Sequence, residues 1–146
     1  MSGITVGIDG SAHSSRALEW ALGEGAARHA PVTVLTVHSV PMSGWTGNPI
    51  TLPRDASDLE SERQAAEELT AKALTQLGDA QPSSVTVRAI IGFPAEALIE
   101  ASRTSDLMVV GSRGAGGFAK LVIGSVSSQV AHHAHCPVVV VPHGSK

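Results

Sequence analysis

Four residues in the last third of the chain have types and spacing suited to holding an anion. They are Gly111, Gly114, Gly124 and Ser125, within the segment GSRGAGGFAKLVIGS. Gly111 and Gly114 stand three apart, nine residues follow, and Gly124-Ser125 opens a helical pattern. Glycine lets a backbone approach a ligand closely and take positive φ. Bare N–H groups and a hydroxyl at a helix N-terminus are what a phosphate needs. Nucleotide binding is therefore the leading reading, although a glycine-rich stretch after a strand also serves as a plain tight turn.

Two familiar phosphate motifs fit poorly. The pattern G-x-x-x-x-G-K-[ST] fails because Ala119 precedes Lys120 and Leu121 follows it. The dinucleotide fingerprint G-x-G-x-x-G/A is met in letters by Gly114, Gly116 and Ala119. It also wants an acid at the end of the next strand, and CPVVVVP offers none.

The elements that must position this loop alternate in type. Ile4 to Asp9 reads as a first strand, with a turn at Gly10-Ser11. A helix to about Arg28 carries Leu18, Ala21, Leu22, Gly25 and Ala26 on one face. Val32 to Val40 is a second strand, and Pro41 to Ala56 is a loop long enough to cover a crevice. Ser57 to Glu60 has the capping-box form S-x-x-E and predicts the start of a second helix, ending at Gly78 with Leu59, Ala66, Leu69, Ala73 and Leu77 inward. Val85 to Ile91 alternates like a half-buried edge strand. Pro94 stands near the start of a third helix running to about Arg103. Leu107 to Val110 is wholly apolar, as a strand covered on both faces should be. Ser125 to about His133 is a fourth helix, and Pro137 to Val141 a fifth strand.

Strands alternating with helices predict a doubly wound, Rossmann-like α/β fold: five parallel strands, order 3-2-1-4-5, helices on both faces. Ligands bind such sheets beyond the carboxyl ends, where strand order reverses. In that order Asp9 and Gly111 reach one crevice. Asp9 is equally suited to capping the following helix, and Ser125 to serving as an N-cap.

The bulk numbers fit one domain over residues 1–146, with 42% hydrophobic and 16% charged residues. A net charge of −3 supplies no basic footprint for nucleic acid or an anionic membrane. The lone Cys136 cannot form an internal disulfide, and the N-terminus has no signal-peptide pattern, so a cytoplasmic location is expected.

Taken together, the strand ending Asp9-Gly10-Ser11, Ala17-Leu18-x-Trp20-Ala21, His38, Gly92-x-Pro94, VVGSRG, GSVSSQV and the closing CPVVVV span essentially the whole chain. This set, with G-x2-G-x9-G-[ST], resembles the ATP-binding universal stress proteins. The resemblance implies ATP in the crevice and dimers formed along the last strand. It implies that Asp9 meets the ribose, that main-chain groups near Ser39 read the adenine edge, and that Gly111 lies beside the ribose. It further implies that Gly114, Gly124 and Ser125 close on the phosphates. Arg113 and Lys120 lie in the same segment and could neutralise phosphate charge, with Mg²⁺ carried mainly by phosphate oxygens and water.

Other groups are read as structural. His132, His133, His135 and Cys136 crowd together, but the helix ends before their spacing suits a metal; no metal site is expected, and Cys136 is read as a small buried hydrophobe. Trp20 and Phe118 are expected to pack. Val138 to Val141 forms an apolar edge that a second copy could cover antiparallel. No acid or histidine sits inside the glycine segment to orient water, and the Walker lysine pattern is missing. The expected role is therefore an ATP-dependent regulatory factor in stress response, with at most slow hydrolysis or self-phosphorylation, and not an enzyme. A chaperone-like dimer without nucleotide is the alternative.

Overall fold

A computed structural model describes residues 3–10, 12–39, 56–112 and 125–142. Five strands and four helices alternate: β1 (Ile4–Ile8), α1 (Ala12–Arg28), β2 (Pro31–Ser39), α2 (Ala56–Leu77), β3 (Ser84–Gly92), α3 (Pro94–Ser102), β4 (Leu107–Gly111), α4 (Ser125–His133) and β5 (Val138–Val141). All neighbours in the sheet run parallel, in the order β3-β2-β1-β4-β5. The expected fold and strand order are those observed.

Period-two alternation divides the core into two layers. Ile4, Val6 and Ile8 of β1, Val32 and Val34 of β2, and Leu107 and Val109 of β4 pack with Leu18 and Leu22 of α1 and Ala66 of α2. On the other face Leu35, Met108 and Val110 meet Leu98 of α3 and Val130 of α4. β1 presents only Thr5 and Gly7 to that second face. The Thr5 hydroxyl is 2.7 Å from the Ser105 hydroxyl, and Gly7 lies under Leu98. The amino end of the sheet is tied by two bonds. Gly3 N–H donates to Asp106 Oδ2 (2.9 Å), and Asp106 N–H donates to the Gly3 carbonyl (2.7 Å).

Three details differ from the expectations. α2 begins at Ala56, so Ser57 lies one residue inside it, and both Glu60 carboxylate oxygens accept from Arg63 on the same helix. That bond holds the Glu60 carboxyl below its ordinary pKa. The helix thus starts within one residue of the expected position, with the Glu60 carboxylate engaged by Arg63 one turn on. Trp20 is 39% exposed and does not pack into the core. Cys136 is half-buried at the margin of the second layer. The expected cover loop (bar its last residue, Ala56, which opens α2), Phe118 and Val40 lie outside the described residues.

Candidate functional site

The geometry at the carboxyl ends follows from register. Val6 of β1 lies opposite Val109 of β4, and each strand runs two residues further, to Ile8 and Gly111. The two strands thus end level, and Asp9 and Ser112 are the first residues beyond them. α1 leaves β1 toward one face of the sheet while α4 packs on the other, which is where a doubly wound sheet opens a crevice. β2 projects past its neighbour: Ile8 pairs with Thr36, and the strand continues to Ser39. The Ser39 main chain therefore forms a raised wall about two strand residues, roughly 7 Å, above the level of Asp9.

Each flank of the crevice is braced by a side chain. Gly10, at φ 85°, makes the turn out of β1, a conformation open to glycine at little cost. Ser14, buried in the first turn of α1, accepts the Asp9 N–H at 3.1 Å and fixes the strand's exit. Asp9 itself is exposed at the mouth. Across the crevice Ser127, buried in the first turn of α4, donates to the Ser112 carbonyl at 3.0 Å. Ser112 N–H donates to the Val141 carbonyl at 2.9 Å, joining the exits of β4 and β5. On β2, His38 Nδ1 pairs with Glu62 of α2, clamping the two elements that flank residues 40–55.

Of the expected site residues, the sheet brings Asp9 and Gly111 together, and Ser39 overhangs them on β2. Ser125 is exposed as the first residue of α4, one position inside an N-cap, so its own N–H is among those for which the helix itself supplies no acceptor. Arg113, Gly114, Lys120 and Gly124 lie outside the described residues. Ser14, Ser112, Ser127 and the His38–Glu62 pair did not emerge from the sequence reading. For Ser14 and Ser127 the only signal was a small polar residue within a first helical turn, a pattern shared by many unrelated helices.

The histidines do not converge. His132 Nδ1 lies 3.0 Å from the Ser128 carbonyl, and His135 and Cys136 come after the end of α4. Among the described residues no three His, Cys, Asp or Glu side chains group as metal ligands. Burial holds the Cys136 thiol above its ordinary pKa, and the Asp106 carboxylate adds to the effect. Cys136 should accordingly react with a disulfide reagent at pH 8 more slowly than a free thiol, since the thiolate is the nucleophile. A rate equal to that of free cysteine would contradict this environment. Cys136 precedes β5, at the sheet end opposite the crevice.

A doubly wound α/β domain with a ligand crevice at its switch point is the class these features define. The universal stress protein family model matches residues 1–142, and the chain belongs to that family. A universal stress protein of Mycolicibacterium smegmatis is 34% identical over 142 residues, 97% of this chain and 48% of the relative. The chain spans about half the length of the curated relatives it matches. Among solved structures, UspA from Lactobacillus plantarum superposes with a TM-score of 0.77 at 20% identity, covering 96% of this chain and 97% of that one. A universal stress protein in complex with cAMP superposes with a TM-score of 0.67 at 26% identity, covering 97% and 96%. No helix among the described residues is long and apolar enough to cross a membrane.

Proposed function

We propose that this chain binds ATP in the crevice between β1 and β4 and acts as a nucleotide-dependent regulatory protein in the cytoplasm. The observation that carries the reading is the level ending of β1 and β4, which sets Asp9 beside the start of the G-x2-G-x9-G-S segment. The cAMP complex of the 26% identical relative supports an adenine nucleotide as the ligand class. In this reading Asp9 accepts from the ribose hydroxyls and the Ser39 main chain meets the adenine edge. Gly111 lies against the sugar, and the amides of Gly114, Gly124 and Ser125 hold the phosphates. Arg113 supplies charge, and Mg²⁺ rides on phosphate oxygens and water.

The chain is read as a binder rather than an efficient catalyst, since the glycine segment carries no acid or histidine to orient water and lacks the G-x-x-x-x-G-K-[ST] lysine pattern. A homodimer along β5 completes the reading. Among the described residues β5 pairs only with β4, leaving an apolar edge without charge or proline. Calorimetric titration with ATP, ADP and cAMP tests the ligand: saturable binding, tightest for ATP, is expected. Equal weak heats for all three would end the reading and favour a dimer without nucleotide. Turnover of bound ATP should fall well below ~1 s⁻¹, the low end for ordinary enzymes.

A further inference from the structure

Trp20 is a large apolar side chain left 39% exposed on a helix that buries Ala17, Leu18, Ala21 and Leu22 around it. Its position on the molecule can be fixed. Arg16, one turn earlier on α1, donates from Nε to the Pro142 carbonyl just past β5 (3.4 Å). Residues four apart share one flank of a helix, so Trp20 stands on the side of α1 that faces β5. α1 runs antiparallel to the strands. Four helical residues descend about 6 Å, and two strand residues back from Pro142 descend about 6.6 Å. Trp20 is therefore level with the middle of β5, on the face where Val139 and Val141 join the α1 layer.

The backbone of β5 is open at the same place. Met108 N–H donates to the Pro137 carbonyl and Ser112 N–H to the Val141 carbonyl. The odd-numbered residues thus bond β4, and in a parallel ladder the alternate residues Val138 and Val140 direct their N–H and C=O outward. A second copy pairing antiparallel there generates a two-fold axis and sets both α1 helices on one face of the joined sheet. α1 lies over β1 and β4. Four strand spacings then separate the two helix axes, about 19 Å, against the roughly 8–10 Å of helices in contact. A trough about 10 Å wide remains above the paired β5 strands, floored by Val139 of each copy.

We propose that Trp20 is the anchor of this self-association: the indole of each copy lies on the β5 valines and meets its symmetry mate, filling the trough. The inference rests on the β5 pairing proposed above, and its occupant is a second copy of this chain. Indole is the side chain most enriched at such anchors, since it removes much apolar surface for little lost conformational freedom.

Sedimentation over a concentration series, with the full chain and two variants, tests the proposal and the pairing separately. Trp20→Ala should raise the dimer dissociation constant at least about thirtyfold, the loss expected of an interface hot spot. Val140→Pro removes only an outward N–H, a site where edge strands tolerate proline, and should abolish pairing. In a Trp45→Phe background, Trp20 emission should shift to the blue as the dimer forms. If Val140→Pro dissociates the dimer while Trp20→Ala does not, the pairing stands and the anchor role is overturned. A dimer untouched by Val140→Pro, or a wild-type chain that stays monomeric throughout, overturns the pairing and the anchor together.

Discussion

Replacing Leu98 by alanine is expected to lower the unfolding free energy by about 3 kcal/mol, within the range for buried leucines, and replacing Gly7 at the same time should recover part of that loss. Leu98 is the residue by which α3 sits on β1, and it is buried over Gly7. A Cβ added at Gly7 would lie 2.8 and 2.9 Å from the two Leu98 methyl carbons, closer than packed atoms come. Gly7→Ala alone is therefore overpacking and should cost about 1–2 kcal/mol. In the double variant the new methyl occupies space that the shortened side chain vacates. Its total cost should be smaller than the sum of the singles by about 1 kcal/mol or more, the coupling typical of residues in contact. Urea unfolding of the four proteins gives the cycle directly. Additivity within about 0.5 kcal/mol would mean that α3 is seated elsewhere on the sheet.

That pair also shows what can and cannot be read before the chain is folded. The wholly apolar LMVV of β4, the half-buried alternation of Val85 to Arg88 and the alternation of strand with helix are local signals. They place β4 centrally and β3 at an edge, as observed. The meeting of Asp9 and Gly111 follows from strand order alone and needs no side-chain detail. By contrast, Gly7 reads from sequence only as a weak spot in a strand, since its partner Leu98 is 91 positions away. Separations of 15, 24 and 33 positions likewise hide Ser127 against the Ser112 carbonyl, His38 against Glu62, and Ser102, whose hydroxyl accepts the His135 N–H at 2.8 Å. Trp20 is a different case. A helical projection sets it well off the line of Leu18, Ala21 and Leu22, so its exposure was legible and its hydrophobicity misled. At Ser57 to Glu60 the four letters locate the start of α2 to within one residue, while the Arg63 that engages the Glu60 carboxylate lies outside that frame.

Asp9→Ala should weaken ATP binding by about ten- to hundredfold, the loss expected when a charged acceptor of hydrogen bonds is removed, with the exit of β1 still tied to Ser14. Asp9 is an exposed residue beyond the end of β1, and the bond from its backbone N–H to Ser14, which fixes the strand's exit, is one that alanine retains. Because this side chain is assigned to the sugar, its removal should act on that part of the ligand alone. Adenosine should lose affinity in parallel with ATP. Tripolyphosphate should bind Asp9→Ala as well as the wild type, or better, since an anion beside the phosphates has been removed. Gly114→Ala should show the opposite pattern, losing tripolyphosphate and ATP while adenosine is spared, because a methyl there obstructs the approach of phosphate to the backbone. Calorimetry with the three ligands on both variants separates the assignments. If Asp9→Ala instead lowers the melting temperature of the nucleotide-free protein and leaves all three affinities intact, the carboxylate is a cap for α1 and the sugar is held by other groups.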